Sequence, residues 1–107
     1  MPDIYPYAGI TQSKYWIIDT AYHLHDKATA NKYIASTDSY ITDQLDYNFN
    51  LLQSSPADVN AGNVQLEVSV LNGIAGLTKQ NGEPELSQKL QAQADDYSKK
   101  FATIMQR

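Results

Sequence analysis

The sequence predicts an all-α protein, a compact antiparallel four-helix bundle formed by one domain over residues 1–107. Three observations support this prediction. Apolar residues recur at helical spacing in four stretches. The connections between these stretches are short and contain turn residues, such as Ser54-Ser55-Pro56 and Gln80-Asn81-Gly82. The composition, 42% hydrophobic and 19% charged, also provides enough apolar side chains for one core and argues against disorder.

The first segment contains Pro2, Pro6 and Gly9, and we expect an irregular N-terminal arm over residues 1–10. Helix 1 is expected to begin near Thr11 or Ser13, because both are good N-cap residues. Two adjacent apolar rows then predict a well-buried helix, which fades around residues 28–30. The rows are Tyr15, Ile18, Tyr22 and His25, with Ile17, Ala21 and Leu24 beside them.

Helix 2 is predicted within residues 31–52. It has an aliphatic row suited to a core, consisting of Ile34, Ile41, Leu45, Phe49 and Leu52. Ser36, Thr37 and Ser39 weaken its first half, because such side chains compete for backbone hydrogen bonds. A start at Thr37 or Asp38 is therefore an alternative. The loop at Pro56 ends the helix, since the residue before a proline is disfavoured in the α conformation.

Residues 64–71 fit two interpretations. Val64, Leu66, Val68 and Val70 alternate with polar residues, which is typical of a half-buried strand. A helical stripe also runs from Val64 to Thr78, and no second strand is available to pair with the first. We therefore predict helix 3 from Asp58 or Asn60 to Lys79, with Gly73 and Gly76 allowing close helix approach.

Helix 4 is predicted to start at Pro84 and to continue to the C-terminus. Proline is well tolerated at the first helical position, and Glu83 and Glu85 suit the positive end of a helix dipole. The apolar stripe is regular and comprises Leu86, Leu90, Ala94, Tyr97, Phe101 and Ile104.

The charge pattern indicates which partners are plausible. The net charge is −4, and no Lys or Arg occurs between Tyr33 and Thr78. This argues against nucleic-acid binding, which needs basic residues to neutralise phosphates. A basic protein partner would suit the acidic block, although acidic side chains also serve solubility alone. With no apolar run of about 20 residues and no basic, apolar leader, we expect a cytoplasmic protein that does not enter membranes.

No group of residues predicts catalysis. His23 and His25 lie about 200° apart on a helix, so they cannot share a metal. The carboxylate pairs Asp43/Asp46 and Asp95/Asp96 are better explained as solvated surface charge than as an acid–base pair. Cysteine is absent and no glycine-rich phosphate loop is present. We therefore expect a protein that is not an enzyme and that uses neither cofactor nor metal.

Helix 2 also carries a row of tyrosines. Tyr33, Tyr40 and Tyr47 recur every seven residues and are interleaved with aspartates. Tyrosine suits interfaces because it provides a large contact area with few rotatable bonds, but it also packs at core edges. The residues predicted to contact a partner are Tyr33, Tyr40, Asp43, Asp46 and Tyr47.

Several short motifs resemble those of a known family. They are Gln44-Leu45-Asp46-Tyr47 followed by a Leu-Leu helix end, Ala57-Asp58 in a short loop, the small residues Gly73, Ala75 and Gly76, the segment from Glu83 to Leu90, and Ile18-Asp19-Thr20-Ala21. The pattern is similar to small helical immunity proteins that neutralise NAD(P)+ glycohydrolase toxins delivered by type VI secretion. The resemblance implies a non-catalytic, cytoplasmic protein that occludes the catalytic cleft of a cognate toxin.

Two functional hypotheses therefore follow from the sequence. The first is an immunity protein that binds an interbacterial toxin. The alternative is a non-enzymatic helical adaptor or regulatory module that acts as a homodimer through the same face of helix 2.

Overall fold

The computed structural model describes the backbone of residues 5–105 and the side chains of residues 10–104. Its elements are α1 (Tyr5–His23), α2 (Lys27–Ser54), a 3-10 turn (Pro56–Asp58), α3 (Ala61–Gln80), α4 (Pro84–Lys100) and the short α5 (Ala102–Met105). The described range contains no strand. The prediction of an all-α bundle is confirmed.

Helix α2 determines the length of the molecule. Its 28 residues extend for about 42 Å at the usual rise per residue, and the longest dimension of the protein is 43 Å. The other long helices pack against α2 or against one another. Helices α3 and α4 run in opposite directions, because Ser87 contacts Ala75 whereas the later Gln91 contacts the earlier Asn72.

One core joins the four long helices. Each contributes side chains that are almost fully excluded from solvent, including Ile18, Ile41, Leu45, Leu71, Ile74, Leu90 and Phe101. Phe49 closes the core beside Phe101 in an edge-to-face contact, with 5.8 Å between ring centroids. The aliphatic row predicted for helix 2 therefore faces the core, with Phe49 and Leu52 half-buried at its end.

The predicted N-terminal arm is wrong from residue 5 onward. Helix α1 begins at Tyr5, so its first turn includes Pro6 and its second includes Gly9. Proline is compatible with a first turn because the amide proton that it lacks would have no helical acceptor there. Residues 1–4 lie outside the described part of the chain.

The boundary between the first two helices was also placed incorrectly. Helix α1 ends at His23, and His25 takes a positive φ of 57° in the tight turn that follows. Asp26 then caps α2, accepting hydrogen bonds from the backbone and hydroxyl of Thr29, and both bonds lower the pKa of the Asp26 carboxyl. Helix α2 therefore starts at Lys27, ten or more residues before the alternative start at Thr37.

Hydroxyl groups do not interrupt α2: two of them bond within the helix, and the buried Thr37 hydroxyl has no hydrogen-bond partner among the described residues. Ser36 donates to the carbonyl of Tyr33, and Thr42 donates to that of Asp38. Such bonds to the preceding turn satisfy the side chain without breaking the helical ladder. The weak first half expected from the composition is thus continuous helix.

Residues 64–71 are helical, as predicted. Asn60 caps α3 by accepting a hydrogen bond from the backbone of Asn63 at 3.0 Å. The expected close approach occurs at Gly73, where an added Cβ would lie 3.0 Å from the Tyr15 ring. It does not occur at Gly76, where the same atom would meet nothing within 4 Å.

Two polar contacts join elements that are distant in sequence. The Tyr22 hydroxyl donates to Glu83, which also accepts from Asn31 at 3.1 Å. Burial and this bond raise the pKa of Tyr22 above its ordinary value. These contacts fasten α1 and α2 to the start of α4.

Candidate protein-binding surface

Helix α1 exposes large apolar side chains on the side away from the core. Trp16 is 59% exposed and Leu24 is 73% exposed, and Ile10 and Ile17 are exposed as well. We call these four residues the apolar row. Ile10, Ile17 and Leu24 are spaced by seven residues, so they lie on one helical face.

The apolar row corrects the prediction that Ile17 and Leu24 are buried. Helix α1 is apolar on more than one side, but α2 and α3 cover only the side that carries Ile18 and Tyr22. The sequence shows that this helix is apolar on more than one side, but it does not show which side a neighbouring helix will cover. Trp16, the single tryptophan of the chain, was not identified as a candidate contact for the same reason.

A shallow apolar groove of about 480 Å³ lies beside the apolar row. Trp16 and Ile17 line it from α1, Leu24 lines it from the turn after α1, and Thr29 lines it from the first turn of α2. Its lining is mainly hydrocarbon and indole, with few polar groups. The groove therefore suits an apolar side chain from another molecule better than a charged ligand.

The tyrosines of α2 border the same side of the α1–α2 hairpin. Thr29, Tyr33 and Tyr40 are four and seven residues apart, which places them along one side of α2. Lys14 of α1 lies 5.1 Å above the ring of half-buried Tyr40. A basic residue of α1 therefore neighbours this row, although no Lys or Arg occurs between Tyr33 and Thr78 in the sequence.

Exposure differs among the three tyrosines of α2. Tyr33 is 37% exposed, Tyr40 is half-buried and Tyr47 is 63% exposed. Asp43 is exposed one turn before Tyr47. Of the five predicted contacts, four are exposed and Tyr40 alone is half-buried.

Asp46 lies on a different side of α2. Its Oδ1 accepts a hydrogen bond from the Tyr97 hydroxyl of α4 at 2.6 Å. Burial, followed by this bond to a carboxylate, raises the pKa of Tyr97. Consecutive helical residues are separated by about 100°, so Tyr47 and Asp46 face different neighbours. Asp46 helps to attach α4 to α2 and does not extend the tyrosine row.

A second, more polar cavity of about 330 Å³ lies where α2 ends and α3 begins. Tyr47 and Gln44 line it from α2, Asp58 lines it from the 3-10 turn, and Asn60 and Asn63 line it from the start of α3. Asn63 is only 6% exposed, and its Oδ1 is buried without a hydrogen-bond donor. We call this cavity the amide pocket.

The two histidines and the pair Asp95/Asp96 are exposed. Among the described residues, no three His, Asp or Glu side chains lie close enough to hold a metal. His23 pairs with Asp19 at 3.3 Å, and Asp96 pairs with Lys100 at the same distance. The arrangement at both histidines and at Asp95/Asp96 is compatible with the surface roles expected from the sequence.

Glu67 is an exception because it is buried. It is 1% exposed in the middle of α3, and its Oε1 has no hydrogen-bond donor. Burial raises the pKa of its carboxyl to about 7. The group is enclosed, so it does not belong to the surface described above.

Comparisons with family models, curated proteins and solved structures found no match. No helix in the described range is both long enough and apolar enough to span a bilayer. The candidate surface is therefore defined by its own geometry, which combines the apolar row, the tyrosines of α2 and the amide pocket.

Proposed function

We propose that this protein is an immunity protein that binds and occludes a cognate interbacterial toxin, an NAD(P)+ glycohydrolase delivered by type VI secretion, in the cytoplasm of the producing cell. The observation that carries the proposal is the exposed apolar row on α1, with accessible tyrosines beside it on α2.

The residue types on this surface are those that dominate protein interfaces. Tryptophan and tyrosine are enriched among residues whose truncation weakens complexes, because each removes a large apolar area from water while keeping a polar group. A contiguous apolar patch also differs from the isolated exposed side chains that are common on any protein. A large protein partner explains this surface better than a small ligand does.

The charge distribution favours a basic partner. The chain has no Lys or Arg between Tyr33 and Thr78, and Asp43 and Asp58 are exposed within this range. Opposite charges on two proteins accelerate their association and fix its orientation. A toxin surface rich in Lys or Arg would therefore be attracted to this end of α2.

The toxin class rests on the sequence resemblance. The motifs of α2, α3 and α4 are similar to those of immunity proteins against NAD(P)+ glycohydrolases, and such proteins are small and helical. The present chain is also helical and includes an exposed surface available for occlusion.

The decisive experiment searches the neighbouring genes for a toxin domain, mixes that purified domain with this protein and measures NAD+ hydrolysis. A stoichiometric amount of the wild-type protein should abolish turnover. Trp16→Ala and Tyr47→Ala should each weaken binding by about 1–4 kcal/mol, as truncation of central interface residues does, while the melting temperature remains close to wild type.

Gln88→Ala provides the matched control, because Gln88 is exposed on α4. It should inhibit as well as wild type does. Failure of the wild-type protein to bind or inhibit the toxin would reject the proposed function. Full inhibition by both aromatic variants would instead reject the proposed surface.

A homodimeric adaptor is the second candidate, and the seven-residue spacing of Ile10, Ile17 and Leu24 favours it. Such spacing is typical of a helix that packs along another helix. Light scattering of the isolated protein separates the two functions. A dimer that dissociates on Ile17→Asp supports the adaptor, whereas a monomer excludes it.

A further inference from the structure

The amide pocket contains acceptor groups that lack donors. Within the part of the chain that the structure describes, the Asp58 carboxylate accepts no hydrogen bond. It also forms no ion pair there, since the ion pairs involve Asp19 and Asp96. The buried Oδ1 of Asn63 also lacks a donor. The Asn63 oxygen has almost no accessible surface, so the exposed Asp58 carboxylate is the acceptor that a ligand in the cavity can reach.

The pocket also includes an aromatic face. Tyr47 lines the cavity and is largely exposed, so one side of its ring is open to a ligand. A cation placed over such a ring is attracted by the negative charge of its face. Asp58 and Tyr47 thus provide two independent attractions for positive charge around one cavity.

The residues that line the pocket supply no cation of their own. Gln44, Tyr47, Asn48, Leu51, Asp58, Asn60 and Asn63 form the lining. The pocket borders the N-terminus of α3, but this does not make it an anion site. The backbone N–H of Asn63 already donates to Asn60 Oδ1, and the Asp58 carboxylate in the lining would repel an anion. The pocket therefore favours a cationic ligand with several donors.

The geometry points to the amide pocket as the binding site for an arginine side chain of the partner protein. A guanidinium group has five N–H donors and carries a positive charge, which matches a pocket lined by a carboxylate and amide oxygens and without a cation of its own. Its planar face stacks on aromatic rings, and its edge pairs with carboxylates, which an ammonium group cannot do at the same time. Tyr47 would stack on the group and Asp58 would pair with its edge.

This inference rests on the proposed function only for the source of the arginine. The pocket itself can be tested on the isolated protein by titration with N-acetyl-arginine methylamide, followed through backbone amide NMR signals. The matched probe is N-acetyl-citrulline methylamide, which has nearly the same shape but no charge. We expect saturable shifts confined mainly to residues 44–63 for the arginine probe and weaker binding of citrulline.

Variants assign the binding groups. Asp58→Asn and Tyr47→Ala should each weaken the arginine probe by about two- to fivefold, the size of an exposed charge pair or cation–π contact. Asp95→Asn is the matched control on α4 and should bind like wild type. Absence of saturable shifts, equal binding of citrulline, or an affinity that Asp58→Asn leaves unchanged would overturn the inference.

The toxin measurement separates this inference from the proposed function. Arginine binding without toxin inhibition would retain the pocket and reject the immunity function. Toxin inhibition that survives Asp58→Asn unchanged, together with no arginine binding, would retain the function and reject the pocket.

Discussion

Glu67 should make the protein less stable as the pH rises through neutrality. Its carboxyl is enclosed in α3 with an unpartnered Oε1, and burial raises its pKa from 4.5 to about 7. The folded state therefore holds this proton more tightly than the unfolded chain does. Below pH 4.5 both states are protonated and the stabilisation from the tightly held proton is complete; it is lost as the pH rises through 7.

The magnitude follows from the shift. One pKa unit corresponds to about 1.4 kcal/mol, so a shift of about 2.5 units corresponds to about 3 kcal/mol in the free energy of unfolding. Between pH 5 and pH 8, most of this difference should appear, about 2–3 kcal/mol. Glu67→Gln removes the titrating group and should remove the same portion of the pH dependence.

Urea denaturation at pH 5 and pH 8 measures this effect. The change in unfolding free energy between the two pH values is compared for wild type, Glu67→Gln and Glu85→Gln, the last being an exposed control on α4. Other titrating groups cancel in this comparison. The burial argument is refuted if Glu67→Gln keeps the wild-type pH dependence, or if Glu85→Gln changes it equally.

Three further predictions concern packing. Gly76→Ala should stabilise the protein by about 0.5–1 kcal/mol, since α3 gains a better helix former in open space. Gly73→Ala should be less stable than Gly76→Ala by about 1–3 kcal/mol, because its Cβ would press on the Tyr15 ring. Thermal melts of the two glycine variants measure this difference, and equal melting temperatures would contradict the predicted contact between the new Cβ and Tyr15. Leu45→Ala should lower the free energy of unfolding by about 2–5 kcal/mol, as Leu45 is fully buried; a urea midpoint like wild type would contradict the core assignment. Tyr97→Phe should lose about 1–2 kcal/mol with its bond to the α2 carboxylate, and an unchanged urea midpoint would show that this bond contributes nothing.

Local patterns were sufficient to predict most helices. The apolar stripe through Val64, Leu71 and Ile74 correctly predicted a helix in residues 64–71, although the alternating pattern there also fits a strand. A helical backbone satisfies its own hydrogen bonds, whereas a lone strand cannot. Pro84 correctly predicted the start of α4. These signals lie within a few residues of the features that they determine.

Features that depend on tertiary packing were not predictable in the same way. The alternation of polar and apolar side chains in residues 64–71 does not indicate that Glu67 is buried. Its burial depends on which helices surround α3. The exposed side of α1 is another example, since Leu24 and Ile18 are both apolar and only packing distinguishes them. The Asp26 cap was a local signal and could have been recognised from its position three residues before Thr29.

The candidate site was predicted in part. Tyr47 and Asp43 are accessible, as an interface on α2 requires. The bond between Asp46 and Tyr97 joins residues 51 positions apart, so no local pattern could show that this carboxylate has an intramolecular partner. The amide pocket likewise depends on the approach of α3 to the end of α2.

The bond between Tyr22 and Glu83 has a consequence for the order of folding. It connects residues 61 positions apart, and the Asn31–Glu83 bond connects residues 52 apart. The α1–α2 and α3–α4 hairpins need only short loops to close, so each can form quickly from local contacts. Closing a longer loop has a larger entropic cost. We therefore expect the Glu83 contacts to form late, when the two completed hairpins dock, and to open before the hairpins themselves unfold.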